Sequence, residues 1–68
     1  MENLTEIIAK KVFSARSNAE LEIKDLSKMT NIRPKALISI ESGQYRPTPK
    51  ELMRLISALE INPSNLLS

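Results

Sequence analysis

The apolar residues of this chain recur at helical spacing along its length. Leu4, Ile8, Val12 and Ala15 stand four, four and three residues apart, one face of a helix. That register fails near Asn18. A second, shorter helix is predicted to carry Ile23, Leu26 and Met29. With Glu22 as its N-cap, Leu21 and Leu26 take the two positions of a hydrophobic staple, and Asp25 at N3 sets a carboxylate beside the positive end of the helix dipole. A third helix, with Leu37 and Ile40 inward, starts at Pro34, whose missing N–H costs nothing at N1. A fourth shows Leu52, Leu55, Ile56 and Leu59 on one face. There is no sustained apolar–polar alternation and little β-branched or aromatic clustering, so strands are not expected.

The punctuation agrees with this division. Asn31 suits the left-handed conformation that turns a chain sharply out of a helix. Gly43, the single glycine, is placed to stop the third helix as its C′ residue. Thr48-Pro49-Lys50-Glu51 is the strongest local signal, a capping box combined with Pro at N1. Asn62 and Pro63 repeat the cap-plus-Pro pattern and start a last turn that returns Leu66 and Leu67 to the core. The expectation is an all-α fold of five short helices in a single domain over residues 1–68, since 68 residues are too few to divide.

Composition narrows the chemistry. The chain is 41% hydrophobic but only 3% aromatic, with Phe13 and Tyr45 alone, so its core must be aliphatic. A core this small gives marginal stability, met by regular packing or by a partner chain. The absence of Cys and His excludes disulfides, thiolate metal sites and imidazole bases. Glu22 and Asp25 are helix-start carboxylates, and no nucleophile–base pair is visible, so neither an enzyme nor a cofactor or metal is expected. Ten basic against eight acidic residues leave a net charge of +2, too little by itself to name a partner. Its placement says more. Residues 22–54 hold seven cations (Lys24, Lys28, Arg33, Lys35, Arg46, Lys50, Arg54) against four carboxylates (Glu22, Asp25, Glu41, Glu51), whereas residues 1–21 balance three against three. No basic leader follows Met1, and no apolar run is long enough for a membrane span, so a cytoplasmic location is expected.

The stretch from Leu26 to Gly43 resembles the helix-turn-helix of the phage repressor and Cro-like (XRE-type) family. Leu26-Ser27, Leu37, Ile40-Glu41, Gly43 and Pro47 fall at that family's spacing without a gap. The resemblance reaches back to Arg16 and forward through Leu52, Leu55, Leu59, Ile61 and Leu66-Leu67, covering about Ile8 to Leu67. It implies a compact five-helix, lambda-repressor-like DNA-binding domain whose helix-turn-helix spans about residues 22–42 in helices two and three. It also implies a buried ion pair between Arg16 and Glu41. A planar guanidinium gripping a carboxylate through two bonds would pin the first helix to the third.

The resemblance further implies a sequence-specific DNA-binding regulator of transcription, a repressor acting on operator DNA as a homodimer with the third helix in the major groove. Its base-contacting positions are Arg33, Lys35, Ile38 and Ser39, with Pro34 beside them. Arg33 and Lys35 are suited to guanine or to phosphate, and Ser39 to several bases. Ile38 has two readings, contact with a thymine methyl or a place on the core rim. Backbone contacts fall to the Ile23 N–H and to Lys24, Gln44, Tyr45 and Arg46, with an ordinary solvated lysine as the other reading of Lys24. Dimer-interface positions are Leu59, Ile61, Asn65 and Leu67, with Ile7 and Phe13 as apolar residues outside the first helix's main face. Leu59, Ile61 and Leu66 have the core as their other reading. No small-molecule site is evident. The chain to Ser68 is expected to be either a complete small regulator or the N-terminal half of a larger one.

Five positions depart from the family's pattern. Glu22-Ile23 replaces a Ser or Thr followed by Gln at the start of helix two, Asn31 replaces the turn Gly, Arg33 replaces a Ser or Thr cap, and Glu60 replaces the Gly ending helix four. Glu22, Ile23 and Ile38 favour a rival reading, a protein-binding module that keeps the fold and has lost specific DNA binding.

Overall fold

The computed structural model describes residues 3–62, and four helices account for most of them: α1 (Leu4–Asn18), α2 (Ile23–Thr30), α3 (Pro34–Glu41) and α4 (Pro49–Leu59). No strand occurs among the described residues. Four of the five expected helices lie among the described residues. The fifth, to be started by Pro63 and to carry Leu66 and Leu67, falls on residues 63–68 and lies outside the described residues. No described helix is long and apolar enough to cross a membrane.

The helix starts bind some of their free N–H groups locally. Asn3 caps α1, its Oδ1 accepting from the Glu6 N–H at 2.9 Å. At α2 the Asp25 carboxylate accepts from the Glu22 N–H at 2.9 Å. Pro34 opens α3 at N1 behind Arg33, whose side chain supplies no cap. At α4 the reciprocal box is complete. Thr48 Oγ1 accepts from the Glu51 N–H at 3.2 Å, and Glu51 Oε1 accepts from the Thr48 N–H at 2.9 Å.

The helix ends share one device. Glu20, Gly43 and Glu60 take left-handed φ values of 58°, 79° and 54°. After each, the next residue's N–H reaches back across the turn: Leu21 to the Arg16 carbonyl at 3.1 Å, Gln44 to Ser39 at 2.9 Å and Ile61 to Ile56 at 3.0 Å. These are Schellman endings. Asn31, at φ 59°, ends α2 with a single bond to the Ser27 carbonyl at 2.8 Å. Only Gly43 adopts this conformation without a steric penalty.

The core is the junction of all four helices, with α1 and α2 each packed against α3 and α4. Ile8 and Val12 from α1, Leu26 from α2, Ile32 from the turn, Leu37 and Ile40 from α3 and Leu55 from α4 are buried together. Leu4, Ile23, Ala36, Leu52, Ala58 and Leu59 close its edges. Both aromatic residues are exposed, Phe13 at 50% and Tyr45 at 37%, so the core is aliphatic as the composition requires.

One predicted inward residue is corrected. Met29 is 53% exposed, and the buried partner of Leu26 on α2 is Thr30, one helical turn further on. Burying this hydroxyl costs little because it is satisfied within its own helix and turn. Thr30 Oγ1 donates to the Leu26 carbonyl at 2.7 Å and accepts from the Ile32 N–H at 3.3 Å. Met29 instead lines a shallow groove with Arg54, Ser57 and Ala58.

Candidate nucleic-acid interface

The position of α3 is set by a clasp from α1. Arg16 Nε donates to Glu41 Oε2 at 2.6 Å and Nη2 donates to Oε1 at 2.9 Å, a two-bond grip between side chains 25 residues apart. Arg16 Nη1 donates to the Leu21 carbonyl at 2.7 Å, so one guanidinium joins α1, the α1–α2 connection and the end of α3. The side chains of Arg16 and Glu41 are 15% and 9% exposed, enough shielding for the pair to matter more than a surface bridge. The bonds to Glu41 hold the Arg16 guanidinium above its ordinary range, against the opposing effect of partial burial. Phe13 lies one turn earlier on α1, its ring centroid 5.5 Å from the guanidinium carbon, a cation–π contact.

Burial of Leu37 and Ile40 fixes the rotation of α3 about its axis, and that rotation decides what faces outward. Arg33, Pro34 and Lys35 are exposed, Ser39 is half-buried, and Ile38 is 56% exposed, standing away from the core. The turn before α3 is held from within. Ser27 Oγ donates to the Ile32 carbonyl at 2.6 Å, Thr30 receives the Ile32 N–H, and Ile32 itself is buried. Arg33 is thus carried on an anchored connection.

The loop after α3 is held as firmly. The Ser39 carbonyl accepts from the N–H groups of Gln44 at 2.9 Å and Tyr45 at 3.2 Å, and Pro47 is buried. Gln44 and Arg46 are exposed between these anchors. The Tyr45 hydroxyl donates to Glu51 Oε1 at 2.8 Å, which raises the phenol above its ordinary value. Glu51 is held below the usual carboxylate range, first by the Thr48 N–H and then, against partial burial, by the Tyr45 hydroxyl. Tyr45 could donate to a phosphate only by giving up Glu51.

At the start of α2 the picture is mixed. The Ile23 side chain packs against the core, leaving its backbone N–H, one of the free donors of a helix first turn, to face outward chemistry. Lys24 Nζ lies 3.3 Å from Glu22 Oε2, with the side chains 73% and 70% exposed. Such a pair is weak and exchangeable, and with Asp25 beside it this corner has two carboxylates against one cation. The α3 side differs. Residues 33–50 hold four cations, Arg33, Lys35, Arg46 and Lys50, and a single carboxylate, Glu41, already engaged by Arg16.

Of the expected dimer positions, Leu59 and Ile61 are half-buried, and Leu59 packs against the core. Asn65 and Leu67 lie outside the described residues. Ile7 is half-buried and Phe13 exposed. Sequence reasoning missed the Phe13–Arg16 contact, although residues three apart on a helix share a face and the spacing was there to be read. It also missed the Ser27 and Thr30 bonds that brace the turn, which no spacing rule would single out.

A family model described as a helix-turn-helix domain matches residues 9–68. Comparison with curated proteins and with solved structures yields no match.

Proposed function

Since this chain belongs to the helix-turn-helix domain family, we propose that it is a sequence-specific DNA-binding regulator of transcription that lays α3 in the major groove. The observation that carries this reading is the outer flank of α3, exposed, bordered by cations, and cleared of free negative charge by the Arg16–Glu41 pair. Arg33 and Lys35 are the donors for guanine or phosphate, and Arg46 beyond the Gly43 turn is a phosphate donor. The free N–H groups at the start of α2 add a second phosphate point.

Repression by a homodimer completes the proposal. Two copies on half-sites about 34–36 Å apart would double the electrostatic footprint of a domain with few cations. The end of α4 and the residues after it, with Leu59, Ile61, Asn65 and Leu67, are the surface proposed for pairing, and sedimentation velocity with and without a palindromic duplex tests it. A cytoplasmic location accords with this role.

The decisive experiment is duplex binding by fluorescence anisotropy at several salt concentrations. With Lys24, Arg33, Lys35 and Arg46 all set near phosphates, the log–log slope is roughly −3 to −4 per protomer. Undetectable or salt-independent binding by a helical, folded chain would reject DNA as the partner. It would favour the rival, a protein-binding module, for which the Glu22 carboxylate at the start of α2 and the exposed Ile38 speak.

A further inference from the structure

The outer flank of α3 has a narrow chemical repertoire. Pro34 and Ile38 stand one turn apart on the same side of the helix and form an apolar strip, with Ile38 56% exposed. Along the chain exposed cations precede, interrupt and follow the strip: Arg33 before Pro34, Lys35 after it, and Arg46 beyond the end of α3. The remaining outward positions are Ser39 and Ser42, and the Ser42 hydroxyl is engaged with the Ser39 carbonyl at 3.1 Å. No Asn, Gln, Asp or Glu occupies this flank. Glu41 is turned to Arg16, and Gln44 lies off the helix beyond the left-handed Gly43. The helix therefore offers no amide for the paired edge of adenine and no carboxylate for the cytosine amino group. Its cations suit guanine, and its apolar strip suits the one apolar feature of the major groove, the thymine 5-methyl.

We infer that Ile38, with Pro34 beside it, reads thymine methyl groups, so that the preferred site places thymine opposite the middle of α3 and guanine or phosphate opposite Arg33 and Lys35. This rests on the DNA-binding reading above and specifies what that surface recognises. Charge complementarity selects the occupant. A strip flanked by cations, on a segment whose one carboxylate is already paired, matches a polyanion carrying methyl groups better than the apolar face of a protein helix.

The test begins with the full chain selecting its preferred duplex from a randomised pool. Each thymine of that duplex is then replaced by uracil, which keeps base pairing and phosphates and removes one methyl. Affinity is expected to fall about fourfold at one or two positions per half-site, the factor that corresponds to ~0.8 kcal/mol for one buried carbon. Ile38→Ala should bind the thymine and uracil duplexes equally at those positions. Because the site is exposed and helical and Ala is the best helix former, this variant is expected to keep its circular dichroism spectrum. Salt-dependent binding with every thymine-to-uracil change inside twofold would overturn the methyl reading and leave the DNA reading standing. A discrimination that persists in Ile38→Ala would also overturn it, by assigning the methyl to another residue. Recovery of no duplex from the pool would overturn both.

Discussion

Glu41→Gln is the most direct perturbation of this structure. It keeps the side-chain shape and removes the charge that Arg16 grips with two bonds of 2.6 and 2.9 Å. One amide oxygen can still accept, but the amide nitrogen then confronts a guanidinium N–H, so at least one bond is lost. With charge centres about 4 Å apart and an effective dielectric near 20, the gross attraction is ~4 kcal/mol. Stranding one member of a fully buried pair costs about 3–5 kcal/mol. The 15% and 9% exposure of these side chains admits some water, so a loss of about 2–4 kcal/mol is expected here. A domain of this length has a total stability of roughly 3–10 kcal/mol, so the variant should melt about 10–25 °C lower.

Urea unfolding followed at 222 nm measures the loss, and a double-mutant cycle with Arg16→Met isolates the pair. Arg16→Met also gives up the bond to the Leu21 carbonyl, so it should cost at least as much as Glu41→Gln. The coupling between the two changes should exceed about 1 kcal/mol. A Glu41→Gln cost below about 0.5 kcal/mol, or additive changes, would show that the clasp does not hold α3 in place, whatever its geometry.

Other consequences are as specific. Glu51 is held below the ordinary carboxylate range by the Thr48 N–H and the Tyr45 hydroxyl. Its contribution to stability is therefore complete above the unfolded value of about 4.3 and is lost as pH falls through the lower native value. Glu51→Gln should flatten this acid-side decline in urea titrations, and Tyr45→Phe should move it to higher pH. Lys35→Ala should change which duplex is preferred, whereas Arg46→Ala should weaken all sequences alike and reduce the salt slope by about 1. Selection from random duplexes and salt titrations separate the two, and indifference to both substitutions would refute the assignment of α3 to the groove. Glu60→Gly relieves a left-handed residue at φ 54° and should stabilise the fold by about 0.5–1 kcal/mol, the steric penalty less the greater chain entropy of glycine. An unchanged urea midpoint would mean that Glu60 is not confined to that conformation.

How much of this was legible in the sequence follows from how local each signal is. The starts of α2, α3 and α4 depend on residues three or four apart, and Glu22, Pro34 and Thr48 marked all three. Gly43 and Asn31 likewise marked their own turns. Met29 was misread, and Thr30 passed over, because an eight-residue helix makes barely two turns, and three apolar residues do not fix its rotation. Thr30 becomes an inward residue only once its hydroxyl can reach the Leu26 carbonyl. Ile32 belongs to no helix, so its burial leaves no periodic trace. The Arg16–Glu41 pair joins residues 25 apart, beyond any spacing rule, and it was expected only through the family resemblance. The Tyr45–Glu51 bond spans a loop whose path no local rule specifies.

The two ends of the helix-turn-helix are electrostatically unequal, and the inequality can be tested. The Arg16 clasp takes Glu41 out of the α3 flank, so Arg33, Lys35 and Arg46 act there without opposition. At the start of α2 nothing comparable removes Glu22. It is 70% exposed on its side chain and draws Lys24 to 3.3 Å, setting a carboxylate beside the N–H groups that would otherwise welcome a phosphate. If DNA lies along both helices, Glu22 opposes it. At about 7 Å through water, one carboxylate facing one phosphate is unfavourable by ~0.6 kcal/mol. Glu22→Gln should therefore raise affinity about threefold per protomer for every duplex sequence, release Lys24 to the backbone, and lose most of that gain as salt shortens the Debye length to about 8 Å. If the start of α2 meets phosphates as proposed, base preference should stay unchanged in this variant. An affinity unchanged or lowered at low salt would place the start of α2 away from the backbone and leave α3 and Arg46 to carry the contact alone.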